Sequence, residues 1–251
     1  MKKGTRRILM LDEIRGFAIV CMVVHHMFYD IGFILGLEWG SRIFDILCVF
    51  QPLFWATFIL TSGICSRMSR STVKRGLLVL AAGGVITMVT AVIMPMLHIT
   101  GAEIYFGILS CLGSCMIITG IFMPLIEKSN EKIGMAVSAF LFFATYNIGK
   151  GVLLFGLVPL PDFLYRCNFL FPLGIAGKNF VSADYFPIIP WLFMFLFGAF
   201  FGQYAKAERL PAVMYKKHAP FLQAAGKNSL WVYLLHQPIL YGIFYIIKIF
   251  L

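Results

Sequence analysis

The 251-residue chain is 60 % hydrophobic and only 13 % charged, with a mean hydropathy of +0.88. Soluble domains carry about 25 % charged residues, so too few polar side chains remain here to cover a water-facing surface. A formal charge of +10 would suggest nucleic acid as the partner of a soluble chain. Here the basic residues gather between long apolar runs, which makes the lipid bilayer the expected setting and removes nucleic acid from the expected partners.

The opening MKKGTRRILMLDEIRG is expected to lead into a retained first span. The apolar stretch that follows is too long for the core of a cleavable leader, and Asp12, Glu13 and Arg15 interrupt its start. Roughly 20 apolar residues cross a bilayer, and spans are predicted at 14–37, 43–65, 77–97, 105–126, 133–148, 188–204 and 229–251. The shorter stretch 152–158 is followed by Pro159 and Pro161 and cannot cross alone. The expected fold is therefore all-α: a polytopic transmembrane helical bundle of about seven to eight spans, forming one domain over 1–251. Residues 147–187 are expected to form an external excursion or a re-entrant piece. Such backbone is tolerated at membrane depth only where protein or a wet cavity surrounds it.

Loop charge gives the orientation. Lys2, Lys3, Arg6, Arg7, Arg67, Arg70, Lys74, Arg75, Lys128, Lys132, Lys206, Arg209, Lys216, Lys217 and Lys227 fall in one set of loops. The opposite set is about threefold poorer in positive charge, so the N-terminus is expected in the cytoplasm. The six cysteines fall mostly inside apolar runs, where cysteine acts as a small hydrophobe. No metal site is expected from Cys111 and Cys115, one turn apart without a third ligand.

Ionisable groups inside spans are functional candidates. In LDEIRGFAIVCMVVHHMFYD, Arg15 and His26 lie eleven residues apart, close to three helical turns and roughly 16 Å along one face. Asp30 extends that stripe, and Asp12 can pair with Arg15. A carboxylate four residues from His26 is expected to fix its tautomer, as a general base requires. His25 points to another face and reads as an interhelical contact. Gly16 lets a backbone or a ligand come close. The last span carries His236 and Gln237 before Pro238, read equally as a polar kink or as part of a site. Asp184 and Trp191, in SADYFPIIPW, open the sixth span as an outer vestibule, with Glu103 facing the same space. Arg67 and Arg70 follow FILTSGICSR and would suit phosphates. Ser62 and Gly63 offer a small surface for helix packing.

RRILMLDEIRGFAIVCMVVHH, FILTSGICSR, FGILSCLG and SADYFPIIPWLFMFLFGAFFG follow one another in order. Together they resemble the catalytic domain of heparan-α-glucosaminide N-acetyltransferase and its small bacterial relatives. YLLHQPI resembles the wider acyltransferase-three group, whose first span carries an arginine and a histidine separated by ten residues, as Arg15 and His26 are. Ser110 stands where relatives commonly carry His or Gln. The resemblance implies a membrane enzyme, in a bacterial plasma membrane, that moves an acetyl group from cytoplasmic acetyl-CoA to a hydroxyl or amine of an extracytoplasmic glycan or glycolipid. On it, Arg15, Arg67 and Arg70 would hold the CoA, His26 and Asp30 would be catalytic, and Asp184, Trp191 and His236 would meet the substrates. A homodimer stays open as the assembly. The alternative is a transporter or flippase for a small polar or lipid-linked solute, which a polar stripe through a bundle also suits.

Overall fold

The computed structural model describes residues 7–250; Lys2, Lys3 and Arg6 of the basic loop set lie outside them. The chain forms α1 (Leu9–Phe33), α2 (Glu38–Ser66), α3 (Thr72–Met88), α4 (Met94–Met96), α5 (Ile108–Ile121), α6 (Met123–Lys128), α7 (Glu131–Thr145), α8 (Ile188–Lys206), α9 (Pro220–Lys227) and α10 (Ser229–Phe250). The π-helical turn Val89–Ile93 joins α3 to α4. Among the described residues, six helical stretches are long and apolar enough to cross a membrane, and the chain is an integral membrane protein.

All seven predicted runs are helical, but the fourth differs from the expected single span. It stops at Ile121 after 14 residues and resumes as α6. Phe122 has a ψ of 7°, and Pro124 has no N–H to continue the ladder. The stretch 152–158 holds a single 3-10 turn, Leu154–Gly156. It is a small antiparallel hairpin of β1 (Val152–Leu153) and β2 (Val158–Pro159), with Val152 opposite Pro159. Gly151 and Gly156 take left-handed φ values of 78° and 96°, which glycine adopts freely. Single-turn helices at Asp162–Tyr165 and Phe171–Leu173 continue this irregular excursion.

The helices fall into two compact units, Met1–Thr61 with Glu208–Leu251, and Ser62–Ala207. In the first, α1 packs on α9 and α10. In the second, α3 packs on α5, and α7 and α5 pack on α8. Glycines set these approaches. A side chain on Gly83 would meet Ser110, and one on Gly113 would meet the backbone of Leu80. Gly63 lies against the Phe195 carbonyl on α8, the small-residue packing expected of FILTSGICSR. Ser110 is thereby part of the α3–α5 contact.

Candidate active site

The first unit holds the polar stripe of α1. At its start, Asp12 pairs with Arg15 at 3.7 Å and with Arg7 at 2.8 Å. The neighbouring Glu13 faces α9: its Oε1 accepts the backbone N–H groups of His218 and Ala219, at 2.8 and 3.0 Å. Those donors stand at the α9 N-terminus, where helical N–H groups have no partner of their own and the dipole favours a carboxylate. Gly16 admits the backbone of α9. A Cβ there would collide with the Leu222 carbonyl, and one on Gly226 would collide with the Asp12 carbonyl. Of the two approaches open to Gly16, a backbone is the one found. Sequence reasoning passed over Glu13, whose partners lie about 205 residues away.

Farther along α1, the His26 Nδ1 lies 3.0 Å from the His236 Nε2 on α10. The His236 Nδ1 lies 2.7 Å from the Tyr233 carbonyl and 3.2 Å from that of Val232. A carbonyl only accepts, so Nδ1 of His236 carries the hydrogen. In the uncharged pair, Nε2 of His236 is then an acceptor, and His26 donates to it through Nδ1–H. The lone pair of His26 consequently sits on its Nε2.

Asp30 plays a different part from the one expected. Gln237 Nε2 donates to its carboxylate oxygens at 3.1 and 3.3 Å, so the partner that fixes His26 is His236 and Asp30 holds Gln237. An acceptor on α10 for His26 and a donor on α10 for Asp30 stand in place of a contact between the two α1 side chains. Asp30 is buried, and the Oε1 of Gln237 is a buried acceptor with no partner among the described residues. His25 makes the interhelical contact its position suggested. It packs on Phe44 with ring centroids 4.7 Å apart, and Cys48 Sγ lies 3.5 Å from its Nε2.

The second unit holds the other candidates. Arg67 is not presented to solvent: its side chain is 4 % exposed, 3.4 Å from Glu127 and bonded to the Met123 sulfur. Lys206 donates to the same Glu127 oxygen at 2.9 Å. Gly202 leaves room for the Arg67 stem. This latch joins the end of α2 to α6 and α8, and it is where the structure places Arg67, which the sequence reading assigns to a phosphate. Burial lowers the pKa of its guanidinium, with Glu127 opposing. Arg70, in the turn before α3, is exposed.

Asp184, read from the sequence as part of an outer vestibule, stands at the start of α5. Its Oδ2 accepts the Ile108 N–H at 3.1 Å, so it caps α5 from 76 residues away. Trp191 packs between Phe142 and Phe186, both centroids 5.6 Å distant. Cys111 and Cys115 sit 4.0 Å apart in the same unit.

A histidine held in one tautomer inside a membrane helix, with a charged residue one face along, suits acyl transfer. The family model described as heparan-alpha-glucosaminide N-acetyltransferase, catalytic, matches residues 7–238. The chain belongs to this family. The match takes in Arg15, His26, Asp30, His236 and Gln237, and it agrees with the resemblance carried by the first-span and DYFPIIPW motifs. As a member of the heparan-alpha-glucosaminide N-acetyltransferase family, the protein has the catalytic domain of a membrane acetyltransferase. No curated protein and no solved structure matches the chain significantly.

Proposed function

We propose that the protein transfers an acetyl group from cytoplasmic acetyl-CoA to a hydroxyl or amine of an extracytoplasmic glycan or glycolipid. The N-terminus lies in the cytoplasm, as the loop charges favour. The observation that carries the reading is the His26–His236 contact at 3.0 Å, because it leaves the lone pair of His26 on Nε2.

Acetyl-CoA supplies the thioester. His26 Nε2 takes the proton of the acceptor as its oxygen or nitrogen attacks the thioester carbonyl. The C–S bond then breaks, and the proton passes to the departing thiolate. Hydrogen bonding to His236 stabilises the imidazolium formed in between. The alternative route, in which Nε2 attacks first and carries the acetyl group, uses the same lone pair. Gln237, held by Asp30, offers its unpaired Oε1 to a hydroxyl or amine hydrogen of the substrate. Buried polar atoms of this kind call for a partner.

Arg15 suits a CoA phosphate in charge and position, since it lies on the predicted cytoplasmic turn of α1 with its side chain 12 % exposed. Arg70, within the second unit, is an exposed cation of the charge a phosphate requires. Asp184 and Trp191 act within the second unit, where they hold α5 and the aromatic cluster in place.

The decisive experiment uses purified protein, radiolabelled acetyl-CoA and a glycolipid extract. Wild type should label an acceptor and release CoA, while His26→Ala should lose about 10²–10⁴-fold in rate. Full-rate transfer by folded His26→Ala protein would sink the mechanism. Acid-quenched protein carrying acetyl on His26 would select the two-step route. Solute uptake into proteoliposomes without any acyl donor would favour a transporter instead.

A further inference from the structure

The second unit contains a cleft of about 580 Å³ that the histidine centre does not use. That volume lies within the range of about 300–1,000 Å³ typical of small-molecule sites. Its walls come from three segments, around Glu103, Asn168 and Phe180. On the apolar side, Phe171 and Phe180 stack with centroids 5.1 Å apart, and Tyr105 lies 5.9 Å from Phe180. On the polar side stand Glu103, Asn168 and Asn179.

The frame of the cleft is tied together. Ala183 N–H donates to the Glu103 carbonyl at 2.9 Å, and Tyr105 N–H donates to Ser182 Oγ at 3.2 Å. Tyr185 OH donates to the Phe171 carbonyl at 2.6 Å. The polar groups are themselves anchored. Glu103 Oε2 accepts the Gly101 N–H, and Asn168 Oδ1 accepts the Gly177 N–H, both at 2.9 Å. Each side chain is thus aimed by one atom and offers another, Oε1 of Glu103 and Nδ2 of Asn168. Such preorganisation lowers the ordering cost of binding.

We infer that this cleft grips a saccharide ring. A pyranose has apolar C–H faces that lie against aromatic rings, and hydroxyls at its edge that both donate and accept. The cleft has the matching halves: aromatic walls, a carboxylate that accepts, and amides that do both. An acyl tail would leave Glu103 and the amides unpaired, which is costly once water is excluded. A phosphate would meet the Glu103 carboxylate. The inference rests on the reading of the acceptor as a glycan, and it adds a ring-binding site built wholly from the second unit.

Saturation-transfer NMR on the full chain tests it, in a detergent without a sugar headgroup. The probes are methyl α-glucopyranoside and glucosamine, with triethylene glycol as the ringless control. Transfer should reach the C–H protons of one ring face and should be absent from the control. Glu103→Gln and Phe180→Leu should each weaken binding about tenfold, the scale of one good polar or stacking contact. Phe180→Leu keeps apolar volume while removing the ring, and an unchanged melting transition certifies each variant as folded. No transfer to either sugar, or transfer unaltered in both variants, overturns the proposal. Sugar binding in a preparation that never turns over acetyl-CoA supports the cleft and removes the transferase reading. Turnover without sugar binding does the reverse.

Discussion

Replacing His236 by Phe isolates the role of the histidine pair. Phenylalanine is close to histidine in shape and leaves the backbone of α10 intact, but it removes the acceptor 3.0 Å from His26 Nδ1. The Nδ1–H is then either unpaired at a half-buried position or moves to Nε2, where it blocks the lone pair. An orphaned donor of this kind costs about 1–3 kcal/mol. At 1.4 kcal/mol per factor of ten, that is a fall of about 5- to 150-fold in turnover. The assay is thiol release from acetyl-CoA with the acceptor in excess. The kcat should fall while the KM for acetyl-CoA holds, because an interaction made in the transition state has been removed and donor binding has not. His26→Ala should fall further, by about 10²–10⁴-fold. Full activity of folded His236→Phe protein would refute the tautomer argument. A loss as complete as that of His26→Ala, with acetyl recovered on His236 in wild type, would reverse the two roles.

Three further outcomes follow from the packing. Asp184→Ala should lower stability by about 1 kcal/mol through loss of the α5 cap, and Asp184→Asn should restore most of it; thermal unfolding in detergent measures both. Gly16→Ala should destabilise by about 1–3 kcal/mol, since its Cβ meets a carbonyl oxygen that belongs to a helix backbone; a melting temperature equal to wild type would contradict the crossing. Glu127 is held below its usual pKa of 4.5 by the Lys206 hydrogen bond first and its charge next, with Arg67 assisting. Its stabilisation is therefore present above pH 4.5 and lost as pH falls through the lowered value. Glu127→Gln should remove that part of the acid sensitivity in melting curves taken across the window.

The helices were legible because apolar runs of span length have few other solutions, and Arg15, His26 and Asp30 could be placed on one face by counting. What each polar residue touches was less so. Asp30 and His26 are neighbours by spacing, yet each is bonded by a donor or acceptor from HQP on α10, some 207 and 210 residues on. The available signal was the presence of two isolated polar positions in two apolar helices, which asks for mutual satisfaction. Asp184 looked like an exposed acid among aromatics, and only the path of the chain brings it to the Ile108 N–H. Arg67 looked like a member of a basic loop, but its stem is buried beside Gly202. The end of the fourth span at Phe122 could have been read from Pro124.

The first-span motif gains a physical purpose from these contacts. Glu13 and Gly16 fix where α9 meets α1, and only Asn228 separates α9 from α10. From Gly16 to His26 is ten residues, and from Gly226 to His236 is also ten. On α1 that is about 15 Å at 1.5 Å per residue, and on the other side the same number of residues runs from the glycine crossing through the α9–α10 junction at Asn228 to the histidine pair. Asp30 and Gln237 close the next level of the same seam. The acids and the glycine of LDEIRG therefore set the register that brings a base on α1 to its partner on α10. A methyl group at Gly226, which would meet the Asp12 carbonyl, should consequently lower kcat as well as stability. Restoring the melting temperature by an unrelated stabilising substitution should leave that loss of kcat in place. If turnover recovers together with stability, the crossing holds the fold together but does not set the distance between the histidines.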